Sequence, residues 1–192
     1  LAGALMQVLL RNPLADPYLV GVSSGAGLGA TLAIYLGARV SWAGLGAVPI
    51  FAFVGALGTT VVIYSLAQVG GKTPVTTLLL AGVAVAALFS ALTTGIWLAA
   101  VHAFQTMTIM SWLMGTLQLA TWAQVRVLAP YLVVGGGAIL LGARALNLLQ
   151  LDEDQARLLG LNVERTKLAL VAANALLTAA AVAVSGVIGF VG

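Results

Sequence analysis

Eight of the thirteen formally charged side chains in this 192-residue sequence lie between Arg144 and Lys167: Arg144, Asp152, Glu153, Asp154, Arg157, Glu164, Arg165 and Lys167. A segment that polar cannot lie in hydrocarbon, where no water satisfies charges or free backbone groups. Most of the remaining sequence belongs nowhere else. Hydrophobic residues make up 61% and charged residues 7% of the chain, with a mean hydropathy of +1.12, against roughly 25% charged in soluble domains. The expected fold is therefore all-α, a polytopic transmembrane helical bundle with one aqueous feature held against it. At roughly 20 residues per span the chain has room for about six. The apolar runs place them as a tail at 1–10, then at about 19–37, 48–69, 75–99, 127–143 and from 168 onward. The first residue is Leu1 and the last seven stop inside an apolar run, so a single transmembrane domain, truncated at both ends, is expected.

Within the charged stretch, Asp152 and Gln155 have the spacing of a capping box, and Gly160 is placed to end that helix in a left-handed turn. Asn162 can cap a second helix. Two short helices over about 152–165 would carry Leu158, Leu159 and Leu161 on one side and charge on the other. The charges either merely solvate a loop or mark where a soluble partner touches the membrane domain. The second reading accounts for the caps and the amphipathic pattern.

Elsewhere the informative residues are small or hydroxylated. Gly21, Gly25 and Gly29 recur every four residues, the pattern that lets a second helix approach closely. The glycine-rich GVSSGAGLG has no lysine, and Gly70-Gly71-Lys72-Thr73 lacks the first glycine of a phosphate-binding loop, since position 66 is Leu66. Neither is a nucleotide site. Thr73 is expected as an N-cap with Pro74 as first helical residue. In the fourth span Gly82, Ala86 and Ser90 form a small-residue stripe followed by Thr93 and Thr94. Such hydroxyls either bond their own helix or line a pathway.

Residues 101–124 are too polar for a lipid-facing span and too apolar for an open loop, which suits a helix or re-entrant segment in an interface or vestibule. The thioethers of Met107 and Met110 there suit packing or a surface that opens and closes. His102 is the sole histidine and cysteine is absent, so no metal site is expected. No nucleophile, base and oxyanion constellation is present either, so no catalytic residue is assigned. Gly135, Gly136 and Gly137 invite a bend or close packing.

Loops on alternate sides carry six basic residues (Arg11, Lys72, Arg144, Arg157, Arg165, Lys167) against two (Arg39, Arg126). This bias places the charged stretch in the cytoplasm and reads the basic balance as topology, not nucleic-acid binding. No charged residue falls inside an expected span, which argues against an ion-coupled carrier unless its acidic site lies outside this sequence. Energy is therefore expected from outside the chain.

Four ordered blocks carry a family resemblance. Arg11-Asn12-Pro13-Leu14-Ala15-Asp16-Pro17 with Leu19 to Ala26 resembles the signature of FecCD-type permeases, the membrane subunits of ABC importers for ferric siderophores, haem and cobalamin. Leu79 to Ala84, Trp112 to Thr116, and Leu146 to Leu149 with Asp152 to Gly160 and Ala179 to Gly192 are similar to further blocks. The resemblance implies about ten helices in the full subunit, a multi-pass place in a bacterial or archaeal plasma membrane, and pairing with a second permease copy or paralogue. It also implies a cytoplasmic ABC ATPase that binds the ATP, a substrate-binding protein on the outer side, and no cofactor on this chain. Asp152, Glu153, Asp154, Arg157 and Gly160 would then form the ATPase-coupling contact, and Ser90, Thr93, Thr94, Met107 and Met110 are the candidate pathway residues.

Overall fold

A computed structural model describes residues 1–42, 44–100, 102–117, 121–151 and 153–187, which form helices and connections only. The helices in chain order are α1 (Ala2–Leu9), α2 (Val22–Tyr35), α3 (Ala47–Leu66), α4 (Val75–Ala99), α5 (Ala103–Met114), α6 (Trp122–Leu141), α7 (Ala143–Leu151), α8 (Glu153–Leu158) and α9 (Val163–Ser185), with a 3-10 turn at Pro17–Val20 before α2. Four of them, α3, α4, α6 and α9, are long and apolar enough to cross a membrane. The bundle is all-α, as its hydropathy required.

The boundaries depart from expectation in four places, each for a local physical reason. The span expected at 19–37 is a 14-residue helix, because Pro17 opens a 3-10 turn whose first amide, that of Tyr18, is capped by Asp16 at 2.8 Å. Gly21 follows in the left-handed region at φ +70° and sits ahead of α2, not in it. Burial first, and the Asp16 charge second, push the Tyr18 phenol up.

The helix expected from 127 begins at Trp122, where Thr121 and Gln124 form a reciprocal capping box. Pro130 therefore lies inside it. The second short helix of the charged stretch is the opening of α9: Asn162 caps it by accepting from the Arg165 amide at 3.1 Å. Glu164, Arg165 and Lys167 consequently ride on the first turns of a long apolar helix that was expected only from 168. Finally, Pro74 is the cap of α4 and Val75 its first residue. Thr73 does not cap that helix, because its backbone is engaged by α9.

Alanines and glycines set the packing distances. Where α2, α3 and α9 cross, the interior is Val22, Ala26, Ala30, Ala52, Ala56, Ala179, Val182 and Ala183. Backbone meets backbone there. A methyl group added to Gly25 would lie 2.5 Å from the Gly55 carbonyl oxygen and 2.6 Å from Thr59 Cβ, and one added to Gly29 would lie 2.8 Å from the Phe51 carbonyl carbon. Toward the charged end the core is bulkier, with Leu5, Met6, Ile63, Leu78, Val171 and Leu177 buried together. Of the 135–137 glycines, Gly135 is the tightly packed one, against Leu177 of α9.

Candidate functional site

Two regions at opposite ends of α4 gather the polar side chains. At the charged end, α8 is short and anchored by Ala156, which is fully buried. Its Arg157 guanidinium lies between two carboxylates, 3.3 Å from Asp154 and 3.4 Å from Glu164 of α9. Asp154 is largely exposed, so its pair is worth at most a few tenths of a kcal/mol. Gly160 ends α8 at φ +84°, a conformation that favours glycine, with open space around it. Leu158 is 88% and Leu159 61% exposed, while Leu161 turns inward against the core. The amphipathic reading of this stretch thus splits: one leucine packs, and two face away from the bundle. Asp152 lies outside the described residues, and Glu153 opens α8.

Behind α8 stands the connection from α3 to α4. Gly70 and Gly71, both at positive φ, make a tight turn in which Val69 and Lys72 exchange backbone hydrogen bonds of 2.8 and 3.1 Å. The GGKT sequence is a hairpin turn, not a phosphate loop. Next in sequence, Thr73 is 2% exposed. Its amide donates to Glu164 Oε2 at 2.9 Å and its carbonyl accepts from Lys167 Nζ at 3.0 Å. Arg11, from the connection after α1, donates to the Leu149 carbonyl at the end of α7 at 3.0 Å. With Lys72, Asp154, Arg157 and Glu164 it borders a polar cleft of about 320 Å³.

At the other end, Ser90, Thr93 and Thr94 of α4 meet Ser23 and Ser24 of α2 around a cleft of about 360 Å³, closed by Leu113 of α5 and by Val187. The own-helix bonds expected of these hydroxyls are present. Thr93 and Thr94 donate to the carbonyls of Phe89 and Ser90 at 2.8 and 2.9 Å, and their oxygens still offer lone pairs toward the cleft. The structure does not bring Met107 and Met110 into it; both are exposed on α5. Ser23 and Ser24 went unassigned from sequence because nothing local tells which helix a serine will face.

Other residues assigned from sequence serve packing. Gly25 and Gly29 seat α2 on α3, while Gly21 abuts Ile63 from its turn. Among the described residues no cluster of His, Cys, Asp and Glu could hold a metal ion.

The arrangement can be set beside known proteins. The pattern of the FecCD transport family matches residues 1–192. Over the whole chain it is 44% identical to the cobalamin import system permease protein BtuC of Halobacterium salinarum, of which it covers 50%. It is 41% identical to the hemin transport system permease protein HmuU of Yersinia pestis, covering 56%. To the ferric enterobactin transport system permease protein FepD of Escherichia coli it is likewise 41% identical, covering 56%. The chain thus spans about half the length of the curated relatives it matches. Among solved structures it is similar to an inward-facing metal-chelate type ABC transporter, with a TM-score of 0.87 at 29% identity over 98% of this chain and 59% of that one.

Proposed function

The chain belongs to the FecCD transport family, and from that premise we propose that it is the membrane-embedded permease part of an ATP-driven importer for a metal chelate or tetrapyrrole, an iron siderophore, haem or cobalamin. The observation that carries the coupling side of this reading is α8. It is a six-residue helix at the polar end of an apolar bundle, fixed from behind by Ala156 and by the Arg157 pair with Glu164. Its Leu158, and Leu159 just after it, face outward with nothing among the described residues covering them. Exposed leucines beside an ion pair suit the apolar centre of a protein contact better than a solvated loop. On this reading the partner is a cytoplasmic ATPase.

On this reading ATP binding draws two ATPase copies together under a pair of permeases. Their movement reaches the bundle at α8, and rigid-body shifts of packed helices alternate access to the path between the two permeases. A chelate delivered by an outer substrate-binding protein enters near α5. The hydroxyl cleft between α2 and α4 offers weak polar contacts without charge, which suits a large cargo that must leave as readily as it enters.

The test is ATP-dependent uptake by the full-length permease reconstituted with its ATPase. Leu158→Glu is expected to weaken assembly with the ATPase by about tenfold or more, since a truncated central anchor costs about 2 kcal/mol. Gly160→Val, at a left-handed position with open space around it, is expected to leave the bundle folded while ATP hydrolysis proceeds with reduced uptake. Wild-type assembly in Leu158→Glu would move the ATPase contact elsewhere. Uptake that follows an ion gradient and ignores ATP would overturn the importer reading itself.

A further inference from the structure

We propose that Glu164 and Lys167 are positioning residues that clamp α4 to the start of α9 through one residue, Thr73, so that displacement at α8 is delivered along α4. The inference rests on the importer reading above and adds a route within the chain.

Both backbone polar groups of Thr73 are held by one face of α9. Glu164 takes its amide at 2.9 Å and Lys167 gives to its carbonyl at 3.0 Å. The two side chains are three residues apart, hence neighbours on the helix surface. They reach across more than ninety residues of sequence to the two peptide groups that flank one residue, Thr73. Thr73 is buried and Lys167 is only 5% exposed. At this degree of burial, parting the carbonyl from the ammonium would cost each a hydrogen-bond partner. The second oxygen of Glu164 faces Arg157 at 3.4 Å. An unbroken polar chain therefore runs from α8 through Arg157 and Glu164 to Thr73.

The covalent surroundings of Thr73 decide which way a displacement travels. Toward α4 the next residue is Pro74, whose ring fixes φ and which caps the helix directly. Toward α3 lie Gly70 and Gly71, at positive φ, with nothing within 4 Å of where their side chains would be. The link to α4 is direct, one proline long, whereas the link to α3 runs through the glycine turn. α4 is also lightly held, with Leu78, Gly82, Val85 and Thr93 its buried residues and Leu80, Val83, Leu88, Leu92 and Leu98 exposed. At 1.5 Å per residue, Ser90, Thr93 and Thr94 stand roughly 22 to 28 Å along the helix from Val75. A shift imposed at Thr73 therefore reaches the hydroxyl cleft by way of one rigid helix.

The experiment uses the full-length permease with its ATPase in proteoliposomes. Spin labels at the exposed positions Thr76 of α4 and Arg165 of α9 report the distance across the clamp, and ATP hydrolysis and uptake are measured on the unlabelled proteins. In wild type the distance distribution is expected to be narrow and to stay so on ATP binding. Lys167→Met, similar in length but without a donor, is expected to broaden it and to lower uptake per ATP hydrolysed about tenfold; Lys167→Arg is expected to restore both. Glu164→Gln keeps an acceptor for the Thr73 amide but removes the charge facing Arg157. It serves where the methionine variant does not assemble, and the same broadening to a lesser degree is expected. A narrow distribution with wild-type coupling in Lys167→Met, or in Glu164→Gln where the former fails to assemble, overturns the clamp. Absence of ATP-driven uptake in wild type overturns the importer reading instead, and the label distances still decide whether the clamp exists.

Discussion

Replacing Gly25 with valine is expected to part α2 from α3 and lower the stability of the bundle by about 3 kcal/mol, the upper end of ordinary overpacking. The reason is the identity of what the new side chain meets. Its first carbon would lie 2.5 Å from the Gly55 carbonyl oxygen and 2.6 Å from Thr59 Cβ. A flexible side chain could swing aside, but a helix backbone cannot. The same helix supplies the control. Gly58 has open space where a methyl would go, so Gly58→Ala is expected to be neutral or to stabilise by roughly 0.5 to 1 kcal/mol through helix propensity. Thermal unfolding of both variants in nanodiscs checks the pair. Equal midpoints would mean that α2 and α3 are not held by backbone contact.

The second large effect is expected at the junction of α5 with α9. Gly186→Ala meets two independent obstacles. The residue sits at φ +74° and ψ −168°, a region essentially reserved for glycine. Its added methyl would also lie 2.9 Å from Gly115 Cα and abut the Trp112 carbonyl. Together these amount to about 3 kcal/mol or more of local destabilisation. The backbone bond from the Thr116 amide to the Ser185 carbonyl, 2.8 Å in the native chain, is expected to break. Because Leu113 and Val187 border the hydroxyl cleft from this junction, the variant should lose uptake while keeping the ATPase contact proposed at α8, away from this junction. Hydrogen exchange at Thr116 measures the first effect directly. Protection there at wild-type level would show that α5 is held by something other than this junction.

These two glycines differ in how visible they are beforehand. Gly25 belongs to a four-residue repeat with Gly21 and Gly29, and a repeat of that period on a helix announces a close approach. Even so, Gly21 proved to be a turn residue, since the Asp16 cap and Pro17 start the helix later than hydropathy suggests. Gly186 has no such period, and only its left-handed backbone and the carbonyl opposite explain it. Helix starts divide in the same way. Asn162 and Gly160 act where their local chemistry places them. The Thr121 and Gln124 box has the same local signature, but the polarity around it masks the start of an apolar helix.

Charge and hydropathy act on the chain in any conformation, since a carboxylate avoids hydrocarbon and a leucine avoids water wherever each sits. That is why the sequence by itself determined an all-α membrane bundle and the polar identity of residues 144–167. Which groups meet across the bundle was decided only by the tertiary structure. Thr73 reads locally as a cap for the helix after it, and Lys167 as one of the basic residues that mark the cytoplasmic side. Their pairing through a buried carbonyl depends on two helices brought side by side from more than ninety residues apart, and no local preference encodes that neighbour.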